Sequence, residues 1–303
     1  MDVRHRGPEQ RATEVTRRLA GLSLGLFLLA TLPAWGAGFQ VHVPKGPVVQ
    51  GDLRLLPVTT PEPLLRLDAR FRGLSLPARP RGREYTVLLA VDLATAPGRY
   101  PFVVEARGVS GRRYRRRVRL TVADGRFPVQ RLTLPKGMVE LDAATLDRVH
   151  REQAVLTAIW KKWTAGPYRW DAFVLPLDGA PRVSSQFGLR RIINGQPRSP
   201  HSGLDFAASS GTPVRASNRG VVVYAGAMFF SGNSVILHHG GGLFTMYFHL
   251  QGYRVTPGQE VAKGATLGWV GATGRATGPH LHWGARLHGA RFDPRRLLQL
   301  SLP

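Results

Sequence analysis

Residues 271–282 read Gly-Ala-Thr-Gly-Arg-Ala-Thr-Gly-Pro-His-Leu-His, and residues 245–250 read Thr-Met-Tyr-Phe-His-Leu. The first stretch is a glycine-rich turn that runs into His280-Leu281-His282. The second is an apolar, aromatic run of the kind that favours a strand and reaches His249 at its end. In a strand, residues i and i+2 point to the same face, about 6.6 Å apart along the chain. His280 and His282 can therefore serve one metal ion or one water, the plain alternative being a pair on an exposed surface. The glycine-rich turn lacks the Lys-Ser/Thr ending of a phosphate-binding loop, which excludes that reading of it.

Upstream, His201-Ser-Gly-Leu-Asp205 adds an imidazole and a carboxylate just after a Gly/Pro-rich stretch. His and Asp are ordinary zinc ligands. Two imidazoles and one carboxylate leave the fourth position of a tetrahedral site to water, the arrangement of a catalytic rather than a structural site. No Glu stands as in the His-Glu-x-x-His metalloproteases, and the only Glu after Glu152 is Glu260, in a turn-like setting. Proton transfer therefore falls to the histidines that do not bind the metal, for which an ordinary imidazole pKa near 6.5 is well placed. Spacing alone leaves open which of His280 and His282 is the ligand. His239-Gly240 reads as part of a turn with a satisfied imidazole.

Around these residues, 171–303 reads as a compact antiparallel β domain. Val221–Tyr224, Ser234–His238, Phe244–His249 and Thr266–Val270 are strand-like, with glycines supplying the turns. Substrate is expected in a groove between hairpin loops, among the Gly-rich segments around Gly195 and Gly241. Residues 126–170 read as a linker with an amphipathic helix from Asp142, its N-cap, to Trp163, stopped by Gly166-Pro167. Its apolar stripe is expected to run Leu146, Val149, Leu156, Trp160 and Trp163, with Gln153 filling a gap. Residues 37–125 read as short strands: Leu53–Val58, Thr86–Val91, Tyr100–Ala106 and Arg113–Val122. In the last, Val118, Leu120 and Val122 face one way and Arg115, Arg117 and Arg119 the other. Strands at this spacing predict an immunoglobulin-like β-sandwich. The fold class is thus mainly β: sandwich, connector helix, antiparallel β domain.

Within the 303 residues, Lys+Arg is 42 against Asp+Glu 19, a net charge of +23 spread along the whole chain. Only five of the basic residues are Lys, so Arg-rich usage by itself is one account of the excess. Cysteine is absent, which excludes disulfides, a thiol nucleophile, Cys-ligated metal and a lipid-bearing cysteine. Leu19–Leu32 is an uncharged apolar run of fourteen residues, preceded by Arg17-Arg18 and followed by Ala34 and Gly36. A spanning helix needs about 20 residues. Residues 1–36 are therefore predicted to be a secretory signal peptide, with mature protein starting near Ala37; an uncleaved anchor is the alternative. An exported basic protein meets anionic envelope polymers rather than nucleic acid, and no helix-turn-helix or aromatic RNA-binding motif occurs. No integral membrane span is expected after processing. Nothing in the sequence fixes an oligomeric state.

The ordered motifs Ser185-Gln-Phe-Gly-Leu-Arg190, His201-Ser-Gly-Leu-Asp-Phe206, Gly211-Thr-Pro-Val214, Ser231-Gly-Asn233, His239-Gly240, Tyr247-Phe-His-Leu250 and Pro279-His-Leu-His282 closely resemble the LytM/lysostaphin-type zinc metalloendopeptidases that cut peptidoglycan peptides. The resemblance covers about Phe173 to Leu298. It implies a zinc ion (Zn2+) held by His201, Asp205 and His282, with His249 and His280 as unliganded catalytic residues. It also implies an envelope location and peptidoglycan peptides as substrate. Residues 39–123 resemble, less specifically, the β-sandwich ahead of the catalytic domain in some envelope members. Members that have lost ligands are non-catalytic adaptors or activators of other cell-wall hydrolases. That alternative is set against the full complement of polar groups kept here.

Overall fold

The computed structural model describes residues 38–161 and 171–300. The predicted signal peptide lies outside the described residues, as do Trp163 and the Gly166-Pro167 helix stop. Among the described residues no helix is long and apolar enough to cross a membrane. The described residues are mainly β, with one long α-helix, Ala143–Lys161, and one short one, Arg295–Leu298.

Residues 40–123 build two sheets. One runs in the order Gln40–Val41, Leu53–Thr59, Glu84–Ala90, Ala78–Arg81; the other in the order Val48–Val49, Arg113–Ala123, Gly98–Gly108, Leu64–Phe71, Leu74–Leu76. Leu56, Val58, Val87 and Leu89 from the first meet Phe71, Phe102, Val104, Leu120 and Val122 from the second in one apolar core. Along Arg113–Ala123 the side chains of Leu120 and Val122 are buried while Arg115, Arg117 and Arg119 are exposed, as the period-two pattern requires.

Strand Glu84–Ala90 is buried on both faces. Val87 and Leu89 serve the core shared by the two N-terminal sheets. Leu88 and Ala90 join Leu53, Leu93, Phe187, Phe292 and Leu297 in the core of the C-terminal region. That double burial explains why the segment reads as a continuous apolar run rather than an alternating one. At this junction Asp92 accepts from Arg291 through Nε at 3.0 Å and Nη2 at 2.8 Å. Gly51, at φ +74°, leaves no room for a Cβ against the Phe187 ring.

The C-terminal sheet is antiparallel throughout. Its path is Val183–Ser185, Gly203–Ala207, His280–Leu287, Leu243–Tyr253, Gly232–His238, Gly220–Met228 and Glu260–Val261. Leu204, Phe206, Val235, Leu237, Tyr247, Leu281 and Trp283 point into the main core. The opposite face carries Ile236, Phe244 and Met246, which the helix Ala143–Lys161 covers with Ile159, Leu156 and Trp160. The Thr145 N–H donates to Asp142 Oδ1 at 2.7 Å, so Asp142 caps the helix as predicted. The packed stripe differs from the expected one. Leu146 and Gln153 are exposed, and Glu152 turns inward, where its carboxylate accepts the Phe229 N–H at 2.8 Å.

The linker does more than connect. Val129–Leu132 pairs in parallel with Arg190–Ile193, which returns through the Asn194-Gly195 turn to Gln196–Arg198. Asn194 at φ +49° and Gly195 at φ +78° supply the left-handed pair that a two-residue hairpin needs.

Candidate functional site

Alternation along two neighbouring strands builds the site. In Gly203–Ala207, Leu204 and Phe206 enter the core, so Asp205 faces the other way. In His280–Leu287, Leu281 and Trp283 enter the core, so His280 and His282 face with Asp205. Asp205 and His282 are direct cross-strand partners. His201 lies just before its strand, buried. Its Nδ1–H donates to the Gln186 carbonyl at 2.8 Å, and Ser185 Oγ is 3.3 Å away. This anchoring orients the ring and turns Nε2 towards Asp205 and His282.

Three donor atoms converge: His201 Nε2 to Asp205 Oδ1 2.9 Å, His201 Nε2 to His282 Nδ1 3.0 Å, and His282 Nδ1 to Asp205 Oδ1 2.8 Å. They form a metal-capable group of buried residues. Zinc bonds of 2.0–2.2 Å place tetrahedral donors about 3.3 Å apart, a few tenths of an ångström from this spacing. The two-nitrogen, one-oxygen donor set and the triangle's size thus both fit zinc. Burial alone would raise the Asp205 carboxyl. Hydrogen bonds and charge from His201 and His282 outweigh it and hold the group well below the usual carboxylate range. Burial lowers the His282 imidazole, against the opposing pull of Asp205. The carboxylate ionised and the imidazole neutral are the forms a metal ion takes.

His249 reaches the site through a β-bulge. Asn233 pairs with Leu250 and Val235 with Tyr247, so Phe248 and His249 together face the single residue Ser234. Simple alternation would have put His249 on the Tyr247 side, in the core. The extra residue brings both Phe248 and His249 to the metal-site face. His249 has φ +63°, a costly conformation for a residue with a Cβ. Phe248 stacks on the His282 ring, centroids 5.5 Å apart at 5°. The His249 and His280 rings lie 4.7 Å apart. Each anchors Nδ1–H on a backbone carbonyl, Thr273 at 2.8 Å and Gly278 at 2.9 Å, which leaves Nε2 as the acceptor. His280 Nε2 is 4.0 Å from Asp205 Oδ1, outside the donor triangle. Burial first, and then His282 and His280, push His249 down to about 3.

Gly203 makes the close approach possible. A Cβ there would lie 2.6 Å from His282 Nε2 and 2.5 Å from the Trp283 carbonyl oxygen. Gly203→Ala is therefore expected to displace His282 and cut bound zinc by roughly the 10–100-fold seen when a ligand loses its support. Normal zinc content in the purified variant would contradict this.

The groove beside the triad has a volume of about 360 Å³. Besides four of the predicted residues, Asp205, His249, His280 and His282, it is bordered by Leu132 and Leu134, Arg182 and Arg191, and Arg275. The sequence reading gave no role to any of these five, although Arg275 sits inside the quoted glycine-rich loop. Nor did it find the Gln186 carbonyl that orients His201. Of the groove expected near Gly195 and Gly241, the first half is met: Arg191 and Ile193, on the strand that runs into the Gly195 turn, line it, and the second is not. Gly240–Gly242 turns at the opposite end of strand Leu243–Tyr253 from His249, about 20 Å along the strand. His239 is buried, bonded to the Arg219 carbonyl at 2.7 Å and Thr245 Oγ1 at 2.7 Å, so it is a structural imidazole.

Burial also lowers the imidazoles of His238, His239 and His288, the last two to about 4. An unfolded imidazole titrates near 6.5, so below that pH the unfolded chain binds more protons than the folded one. Stability present at pH 7.5 should fall as pH drops from 6.5 towards 4. The loss is at most about 1.4 kcal/mol per pH unit for each fully buried ring. The urea midpoint is expected to be clearly lower at pH 5 than at pH 7.5; an unchanged midpoint would contradict neutral burial of these rings.

Residues 199–294 match the profile of Peptidase family M23. The chain is 43% identical over 122 residues to the DD-carboxypeptidase/endopeptidase Mpg of Neisseria meningitidis serogroup B, covering 40% of this chain and 27% of that protein. It is 45% identical over 109 residues to the peptidoglycan DD-endopeptidase ShyA of Vibrio cholerae, covering 36% and 25%. The chain thus spans about a quarter of the length of these curated relatives. A crystal structure of a putative peptidase M23 from Pseudomonas aeruginosa is similar over 84% of this chain and 95% of that one, with 32% identity and a TM-score of 0.64. That breadth of agreement, taken with the matched segment around the triad, places the protein in peptidase family M23.

Proposed function

We propose that the protein is a zinc-dependent endopeptidase that hydrolyses peptide crosslinks or stem peptides of bacterial peptidoglycan. The observation that carries this reading is the convergence of His201, Asp205 and His282 within 3.0 Å, beside two more imidazoles with anchored tautomers. His201, Asp205 and His282 would hold the zinc, which when bound polarises a scissile carbonyl and brings the pKa of a water to about 7. His249 or His280 takes a proton from the attacking water at its unprotonated Nε2. The same pair then holds the developing oxyanion and returns a proton to the leaving amine. Both rings present Nε2 to the site, His249 held neutral by its burial.

Peptidoglycan lies outside the cytoplasm, so the reading goes together with export by the predicted signal peptide. The name of the relative ShyA, a peptidoglycan DD-endopeptidase, supports a peptidoglycan substrate. The exposed arginines of strand Arg113–Ala123 would carry contact with anionic envelope polymers. The test is release of new amino groups from purified peptidoglycan, abolished by a chelator and restored by zinc. No release would overturn the proposal, and product masses from defined muropeptides would identify the bond.

A further inference from the structure

Three guanidinium groups from three separate segments border the groove of the triad: Arg182, Arg191 and Arg275. The only carboxylate on that border is Asp205, already engaged by two imidazoles. Arg191 Nη2 stands 3.7 Å from Asp205 Oδ2, and its Nε donates to Gln130 Oε1 at 3.4 Å, both long contacts. Arg275 has no carboxylate within ion-pair distance among the described residues. Its guanidinium lies 4.2 Å from the centroid of the Phe230 ring, which fixes its plane. Burial lowers Arg275, and the neighbouring charges of Arg191 and Arg198 lower it further. Like charges held together, partly desolvated and with only the long Arg191–Asp205 contact to offset them, destabilise the fold unless an anion joins them.

We propose, on the endopeptidase reading above, that Arg191 and Arg275 form a carboxylate subsite, so that the enzyme selects amide bonds flanked by a free carboxylate. The guanidinium fork matches a planar carboxylate in a bidentate pair. A carboxylate at 2.7–2.9 Å from Arg191 falls within about one residue length of the triad, because Arg191 is already 3.7 Å from Asp205. The bond this describes is a crosslink on an amine whose own carbon keeps a carboxylate, as when a diamino acid is the acceptor. A glycine bridge offers no such group inside the chain.

The experiment compares two crosslinked muropeptide dimers that differ only at that carboxylate, free in one and amidated in the other. The parent, Arg275→Gln and Arg275→Lys are assayed on both, with zinc content and melting temperature measured for each. The parent is expected to prefer the free carboxylate by about 10–100-fold in kcat/KM. Arg275→Gln should lose most of that preference through a raised KM on the acidic dimer, and Arg275→Lys should recover part of it. Equal cleavage of both dimers by the parent overturns the inference and leaves the endopeptidase reading standing. So does a uniform loss on both dimers by a folded, zinc-loaded Arg275→Gln. Cleavage of neither dimer overturns that reading and this inference with it. Should Arg275→Gln fail to fold, the parent's ratio and Arg275→Lys decide.

Discussion

Asp205→Ala and His201→Ala are each expected to lose bound zinc and all measurable peptide hydrolysis while the sheet persists. Asp205 is the one carboxylate in the triad, and its Oδ1 lies 2.9 Å from His201 Nε2 and 2.8 Å from His282 Nδ1. Without it, two imidazole nitrogens 3.0 Å apart remain with no charge to balance a divalent ion. A site of three protein ligands cannot spare one, so the loss in affinity should exceed the roughly 10–100-fold typical of removing a supporting partner. The sheet should persist because its core is made by the alternate residues Leu204, Phe206, Leu281 and Trp283. Metal analysis and circular dichroism of each variant check this. Full zinc occupancy in either would remove that residue from the ligand set.

The second large effect separates turnover from metal binding. His249→Ala and His280→Ala should keep zinc and lower the rate by about 10²–10⁴-fold, the usual cost of removing a group that moves a proton or holds a developing charge. Both rings lie beside the triad and neither supplies an atom to it. His249 has φ +63°, so a backbone control is available. His249→Gly keeps the left-handed conformation without a Cβ. It should be as inactive as His249→Ala if the imidazole is what matters. Parent-like cleavage by any of these variants would end the catalytic assignment. Zinc loss in His280→Ala with zinc retained in His282→Ala would exchange the roles of the two residues.

The resemblance read from the motifs is met by membership of peptidase family M23, and the mainly β fold is met by the structure. Candidate histidines were legible because the side chains that face the site alternate with large apolar ones: His280 and His282 flank Leu281, and Asp205 stands between Leu204 and Phe206. Arg275 and Arg191 were not legible. Nothing local marks an arginine in a glycine-rich loop, or one of two adjacent arginines at 190–191, as facing a groove rather than water.

By itself the sequence determined the period of each segment, and hence which side chains share a face, where the helix is capped by Asp142, and which residue types are present to bind a metal. These are properties of neighbours along the chain, set by pleat geometry and local hydrogen bonds. Only the tertiary structure decided how those faces meet. The register between Gly203–Ala207 and His280–Leu287 sets Asp205 against His282 and closes the triangle on His201, 81 residues away in the chain. The bulge opposite Ser234 turns His249 out of the core. The parallel pairing of Val129–Leu132 makes a segment read as a linker into a wall of the groove. Each of these depends on which distant strands pair and at what offset. A shift of one residue would send every side chain of a strand to its other face, and that offset is set by packing of the whole core.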